Sequence, residues 1–248
     1  MKIRLLFFLF LPISLFAQDT TKLKTNITFS YLYASGNIDR VLLVSRMDLV
    51  YGKKTEFTFS PSWTYGTKTS RKTVSENEIL YNISLHFKGN GRGKIMIFHD
   101  FEKSNLRKIS IRSDIGIGVG FKIYTGRGFN IDLSEALLGE VLNLNSPRWV
   151  ELRSLRLSTR VKVKYNGKFN VSFIGFIQPA VHQDLPIISL RDNIILRSLF
   201  TIDHPIGKSL NIGLTWNFVH QGFVPMVDPT LKSWDSNTQI SFRWGFVK

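Results

Sequence analysis

From residue 24 onward the chain alternates between apolar and polar positions. In "NITFSYLYA", Ile27, Phe29, Tyr31 and Tyr33 oppose Asn26, Thr28 and Ser30. In "EFTFSPSWTY", Phe57, Phe59, Trp63 and Tyr65 oppose Thr58, Ser60, Ser62 and Thr64. "SLRLSTRVKVKY" sets Leu155, Leu157, Val161 and Val163 against Arg156, Ser158, Arg160, Lys162 and Lys164. "NTQISFRWGF" sets Ile240, Phe242, Trp244 and Phe246 against Gln239, Ser241 and Arg243. "IRSDIGIGVGFKI" sets Ile111, Ile115, Ile117, Val119, Phe121 and Ile123 against Arg112, Asp114, Gly116, Gly118, Gly120 and Lys122. A period of two puts these sets on opposite faces of β-strands.

Twelve such strands are predicted, near residues 24–34, 38–50, 55–65, 76–87, 94–103, 109–123, 128–139, 149–164, 168–181, 188–203, 209–220 and 236–246. Most exceed the ~5–6 residues of a soluble strand and reach the ~9–11 that a tilted strand needs to cross a bilayer. Alternate connections are short and glycine-rich: "YGKK", "GNGRG", "YTGRG", "NGK" and "PIGK". Several of the others are longer, at 66–75, 139–148 and 222–235, although "SGNID" is short. Short turns at one end and longer loops at the other are the habit of outer-membrane barrels. Residues 132–142, "DLSEALLGEVL", also fit an amphipathic helix capped by Asp132, and are read as strand because they follow a short turn.

Alternation alone does not say which face is wet. A soluble sandwich would bury the apolar face; a membrane barrel would turn it to lipid. The start, "MKIRLLFFLFLPISLFAQ", carries Lys2 and Arg4 before an apolar run and reads as a secretory signal peptide over 1–17, leaving 18–248 as one barrel domain. Beyond it no apolar run is long enough for a membrane helix, so a membrane-spanning form has to be a closed barrel. The 248 residues are 13% aromatic and include 20 Phe. Aromatics such as Tyr31, Tyr33, Tyr65, Phe87, Phe121, Tyr165 and Trp216 fall near strand ends, where interfacial girdles sit. The last strand closes on "FRWGF". The fold class expected is therefore all-β, a single transmembrane antiparallel barrel of about twelve strands in the outer membrane of a diderm bacterium.

Charge changes the picture of the interior. The formal net charge is +15, or +13 without Lys2 and Arg4 (15 − 2). Export makes nucleic acid an unexpected partner. The strand faces send Arg46, Asp48, Glu78, Arg112, Asp114, Arg156, Arg160, Arg197 and Arg243 inward, with Asp132, and with Lys122, Lys162 and Lys164 toward the periplasmic end. Unpaired burial costs several kcal/mol per charge. These groups either line water, as a cation-rich lumen favouring anions, or pair into a closed interior. Twelve strands lie between the filled eight-stranded barrel and the open porins of ~16–18. The few residues ahead of the first strand supply no plug domain.

Other chemistry is sparse. There is no Cys, which excludes disulfides, thiolate metal sites and a cysteine nucleophile. The G-x-G-x-G of 116–120 is not a dinucleotide fingerprint, and on a strand it marks bends or close approach of neighbours. A barrel lipase would want His and Ser two apart on one strand; His86, His99, His182, His204 and His220 all lack that partner. His99 and Asp100 point to opposite faces. His182 with Asp184, and His220 with Asp228, are the remaining rim candidates. No cofactor or metal is expected. External cations, Lys68, Arg71, Lys72, Lys103, Arg107 and Lys108, suit lipopolysaccharide phosphates or solvent.

The opening hairpin "SYLYASGNIDRVLLVSRMDL", with Ser35, Gly36 and Asn37 in its turn, resembles the salt-induced outer-membrane protein family, a domain family of unknown function. "GIGVGFKI" resembles that family's central strands. Ile38 stands where the family often has a hydroxyl residue. The resemblance implies an outer-membrane barrel and supplies no catalytic residues. The expected function is a small passive channel with a basic lumen and no enzymatic activity. The alternatives are a sealed structural or adhesion barrel and a lipid-modifying hydrolase. Expected partners are outer-membrane lipids and lipopolysaccharide, and the barrel-assembly machinery through the last strand.

Overall fold

The computed structural model describes residues 23–34, 40–52, 54–68, 74–89, 91–105, 108–146, 148–184, 189–206, 209–227 and 233–247. The expected signal peptide and the turn Ser35, Gly36 and Asn37 lie outside the described residues. Twelve strands form a closed antiparallel barrel in chain order: β1 (Leu23–Ala34), β2 (Arg40–Tyr51), β3 (Thr55–Lys68), β4 (Val74–Lys88), β5 (Gly93–Ser104), β6 (Ile109–Gly126), β7 (Phe129–Ser146), β8 (Arg148–Asn166), β9 (Asn170–Gln183), β10 (Ile194–Pro205), β11 (Leu210–Gln221) and β12 (Trp234–Val247). β12 returns to β1 with Arg243 opposite Thr28, so no sheet edge is left unpaired.

Two local causes set the ladder. Alternation gives each strand one apolar face. The tight turns then fix register. Arg127 and Gly128 join β6 to β7 with φ of 48° and 82°, the positive pair that a two-residue hairpin turn of the I′ type demands. The turn sets Gly126 opposite Phe129, and a β-bulge between Lys122 and Tyr124 then shifts the register so that Lys122 stands opposite Asp132.

The wall is inside out. Ile115, Ile117, Val119, Phe121 and Ile123 are exposed, Ile115 to 63%, while Arg112, Asp114, Gly116, Gly118 and Gly120 alternating with them are buried. Only a lipid surrounding makes that arrangement favourable. At the ends of the band Trp63 donates to Asn77 at 3.1 Å and Trp216 to Ser236 at 2.9 Å, amphipathic rings anchored at an interface. A polar contact interrupts the apolar face at Glu135. Glu135 shares that face with Val119 and Thr159, and Thr159 Oγ1 donates to its carboxylate at 2.9 Å.

Residues 139–146 and 148, expected within a long external loop, are strand. β7 runs to Ser146 and β8 begins at Arg148. The helix alternative over 132–142 is likewise overturned. The cause lies inside the barrel. Leu138, Leu142 and Leu144 face inward and are buried, while Leu137 and Val141 face outward. Both faces of β7 are therefore apolar, and the alternation that marks a strand fades.

Leu142 and Leu144 pack against a plug made by connections rather than by a separate domain. A turn at Ser189–Asp192 leads into buried Asn193 and Ile195. After β11, Phe223 and Val224, at the start of the short helix α1 (Val224–Val227), enter the same space. Ile109, Leu142, Leu144, Leu152, Ile195, Phe223 and Val224 form one buried apolar cluster at the external end. The glycines of β6 make room for inward side chains. A Cβ at Gly116 would sit 2.5 Å from Leu138 and from Phe98, and one at Gly120 would sit 2.8 Å from Lys94 Cε.

Candidate functional site: a lumen of unlike tiers

The inward charges separate into three groups. Toward the external end, beneath the plug, Arg112 of β6 and Arg156 of β8 flank Glu140 of β7. Arg112 Nη2 lies 2.8 Å from Glu140 Oε1, and Arg112 Nε lies 3.1 Å from Asp114 Oδ2. The Arg112–Glu140 contact is an ion pair off the hydrogen-bond axis. Arg156 Nε bonds the other Glu140 oxygen, which also accepts from Ser154 Oγ at 2.5 Å. Arg156 then reaches the plug, donating to the Asn193 backbone oxygen at 3.0 Å, to Asn193 Oδ1 at 2.6 Å and to the Gln178 backbone oxygen at 3.2 Å. Glu102 of β5 lies 3.5 Å from Arg197 of β10. These strands are not neighbours, so this ion pair crosses the interior. Arg112, Arg156 and Glu140 side chains are at most 1% exposed.

The second group is wet. On β2, Arg46 Nη2 pairs with Asp48 at 2.9 Å, yet Arg46 faces inward and its side chain remains 45% exposed. Arg243 of β12 pairs with Asp203 of β10 and is 27% exposed. Near the short-turn end, Glu56 pairs with Lys88 and lies 3.5 Å from His86 Nδ1. Small residues, Thr28, Ser30, Thr215 and Ser241, line this side between the charges.

The third group sits at the short-turn end of β5–β8. Lys122, Asp132 and Lys162 stand opposite one another in register across β6, β7 and β8. The row above holds Lys94, Gly120, Ser134 and Arg160, and Lys164 lies two residues beyond Lys162 on the same face. Arg160 stacks over Phe176 at 5.5 Å.

All nine inward charges expected from the pattern face the lumen, but in different company. Arg112, Asp114 and Arg156 share the dry cluster and Arg197 joins it from across the barrel. Arg46, Asp48 and Arg243 stand in the wet group, and Arg160 in the third. Glu78 accepts from Ser104 of β5. Sequence reasoning missed Glu102, Glu140, Asn193 and Asp203. Glu140 was masked by reading 139–148 as loop; carrying the parity of Ser134 and Ala136 onward finds it.

The histidine expectations need one correction. His99 does find a serine, on the neighbouring strand: its Nε2 lies 2.9 Å from Ser113 Oγ. Both face outward, beside Tyr81, whose ring stacks on Phe101 at 4.9 Å. A same-strand search for i,i+2 partners does not detect a cross-strand pair. His182 makes no described bond to Asp184, which accepts from the Arg153 backbone N–H at 2.9 Å. Asp228, Arg71, Lys72, Arg107 and the Lys68 side chain lie outside the described residues; Lys103 and Lys108 are exposed. Among the described residues no cluster of His, Asp and Glu is arranged to hold a metal ion.

No protein-family model and no curated protein matches the chain. Solved structures do. The chain is similar to an outer membrane channel of Pseudomonas putida F1, with a TM-score of 0.53 at 10% identity, over 92% of this chain and 95% of that one. It is also similar to the NanC porin, with a TM-score of 0.51 at 11% identity, over 91% of this chain and 98% of that one. Likeness at such identity concerns the fold. With the lipid-facing wall, it makes this protein an outer-membrane β-barrel of porin-like architecture.

Proposed function

We propose that the protein is a narrow, passive outer-membrane channel for small anionic solutes, without enzymatic activity. The observation that carries this reading is Arg46. It faces the interior and keeps nearly half its side chain in contact with water, whereas Arg112 and Arg156 on the opposite side are dry. On the inner face of β1, β2, β11 and β12 the exposed Arg46 and the partly exposed Arg243 flank a path, with the small, buried side chains of Thr28, Ser30, Thr215 and Ser241 between them. Small hydroxyl side chains leave space, and guanidinium groups favour anions. The resemblance of the opening hairpin to the salt-induced outer-membrane proteins fits this reading, as do exposed Lys103 and Lys108 as contacts for lipopolysaccharide phosphates. Planar bilayers with the reconstituted barrel test it. A low single-channel conductance and a reversal potential of anion-selective sign under a potassium chloride gradient are expected. A cation-selective sign removes the proposal.

A second reading is a sealed structural barrel. The transluminal Glu102–Arg197 pair and the apolar plug favour it. Stable insertion with no conductance would select it.

A further inference from the structure

The external tier balances its charges, but the third group does not. Around the short-turn mouth Lys94, Lys122, Arg160, Lys162 and Lys164 gather about Asp132, with Asp100 acting on Arg160 and the Glu56–Lys88 pair acting on Lys94, so that a local excess of +3 (6 − 3) remains. Directly opposed residues lie ~4.5–5.5 Å apart at Cβ and same-face neighbours along a strand ~6.6 Å apart, so these cations repel one another across one small patch. Among the described residues none of the five makes an ion pair, although Glu102, Asp114 and Glu140 all pair higher in the same wall. Arg160 leaves its Nε donor shielded from water and without a hydrogen-bond partner. A recess of about 10 Å³, the room of a single water, lies among Lys94, Asp132, Leu133, Ser134, Arg160 and Lys162, so a larger oxyanion would sit over its mouth on the interior side. Gly120 helps to build it, because the Lys94 chain lies where a Cβ would stand.

A concentration of like charge that costs folding free energy has one simple relief, a bound counter-charge. We propose that this patch is a binding site for a free oxyanion bearing two negative charges, of the phosphate or phosphate-ester class. The Arg160 fork, the Ser134 hydroxyl and the Lys94 and Lys162 ammonium groups supply several convergent donors, the set that tetrahedral oxyanions take. Membrane lipid is not the source, because the barrel wall separates this inner face from the acyl chains. The site opens to the periplasmic mouth, where Lys122 and Lys164 are exposed. Anions entering along the wet path would be held here. The inference therefore rests on the proposed water-filled lumen, and it names the class of solute.

The test is equilibrium binding of inorganic phosphate to the full-length folded barrel in a phosphate-free, non-ionic detergent, followed by calorimetry. Saturable binding with a stoichiometry near one is expected. Lys162→Gln with Lys164→Gln should weaken it about tenfold or more, since charge-assisted contacts to the anion are lost. Asp132→Asn should tighten it. Arg153→Gln, exposed at the other end of the barrel, should leave it unchanged. Heat-modifiable gel migration confirms that each variant is folded. Absence of saturable binding, or binding indifferent to the Lys162 and Lys164 changes, overturns the inference. Phosphate binding without conductance keeps the site and removes the channel reading; conductance without phosphate binding does the reverse.

Discussion

Glu102 on β5 and Arg197 on β10 meet at 3.5 Å although four strands, β6 to β9, lie between them on the shorter arc of the ring. Glu102 also lies 3.9 Å from Arg112, so the crossing pair extends a buried network that ends at the plug. The interior is thus tied from wall to wall at one level, beside a side that stays wet.

That network sets the first expectation. Glu140→Ala leaves Arg112 and Arg156 buried without their shared partner. Breaking a buried pair costs ~3–5 kcal/mol. The folded band on an unboiled gel should convert at a markedly lower temperature. Asp48→Ala removes a partly exposed ion pair and should change the same midpoint by less than ~1 kcal/mol in equivalent stability. Equal losses at the two sites would contradict the division between dry and wet sides.

The plug has an electrical signature. Phe223 is fully buried among Leu142, Leu152 and Ile195. Phe223→Ala should cost ~3–5 kcal/mol and loosen the contact between the last external connection and the wall. Single-channel recordings should then show larger or flickering conductance. An unchanged current trace with a lowered stability would mean that the ion path does not pass the plug.

Glycines in the wall differ in kind. A Cβ at Gly118 would lie 2.4 Å from the Glu135 backbone oxygen, which cannot move aside, whereas Gly139 has nothing within 4 Å. Gly118→Ala should destabilise by ~1–3 kcal/mol. Gly139→Ala should be neutral or add ~0.4–1 kcal/mol by restricting the unfolded chain. Urea unfolding from detergent, followed by tryptophan fluorescence, separates the two.

The lipid-facing Glu135 offers a gain. Its carboxylate sits between Val119 and Thr159 on the outer face. A charge on that face costs up to ~2–4 kcal/mol for Arg or Lys at mid-depth and less for Glu. Glu135→Leu should therefore raise stability by about 1 kcal/mol in lipid vesicles. A loss instead would point to a role for the Glu135–Thr159 hydrogen bond in the folded barrel.

The outer-face pair of His99 and Ser113 separates a hydrogen bond from catalysis. The backbone N–H groups around Ser113 belong to the β-ladder, which leaves no described donors for an oxyanion. Ser113→Ala should cost about 1 kcal/mol or less and leave no measurable change in fatty-acid release from phospholipid vesicles. Serine-dependent release would make the barrel an enzyme.

Much of this molecule was legible along the chain. The alternation of Ile115, Ile117 and Val119 with three glycines marked a stave with a lipid face, and the Arg127–Gly128 turn marked its end. Reading failed where both faces of a strand are apolar. Around Leu137, Leu138, Val141 and Leu142 no period of two survives, because Leu138 and Leu142 point inward, Leu142 against a plug built from segments far away in sequence. It failed again at His99 and Ser113, whose meeting depends on cross-strand register and not on spacing.

The sequence by itself determined the number of strands, the direction of each side chain and the inward charge, because strand parity and turn geometry are local properties of a few residues. Only the tertiary structure decided which charges are paired and which are wet. Arg46, Arg112 and Lys162 are alike in pattern, all basic and all inward. Their different fates follow from the closed ring, which brings Glu140 and Glu102 to Arg112, leaves Arg46 beside water, and places Lys162 among cations with Asp132 as the carboxylate opposite it.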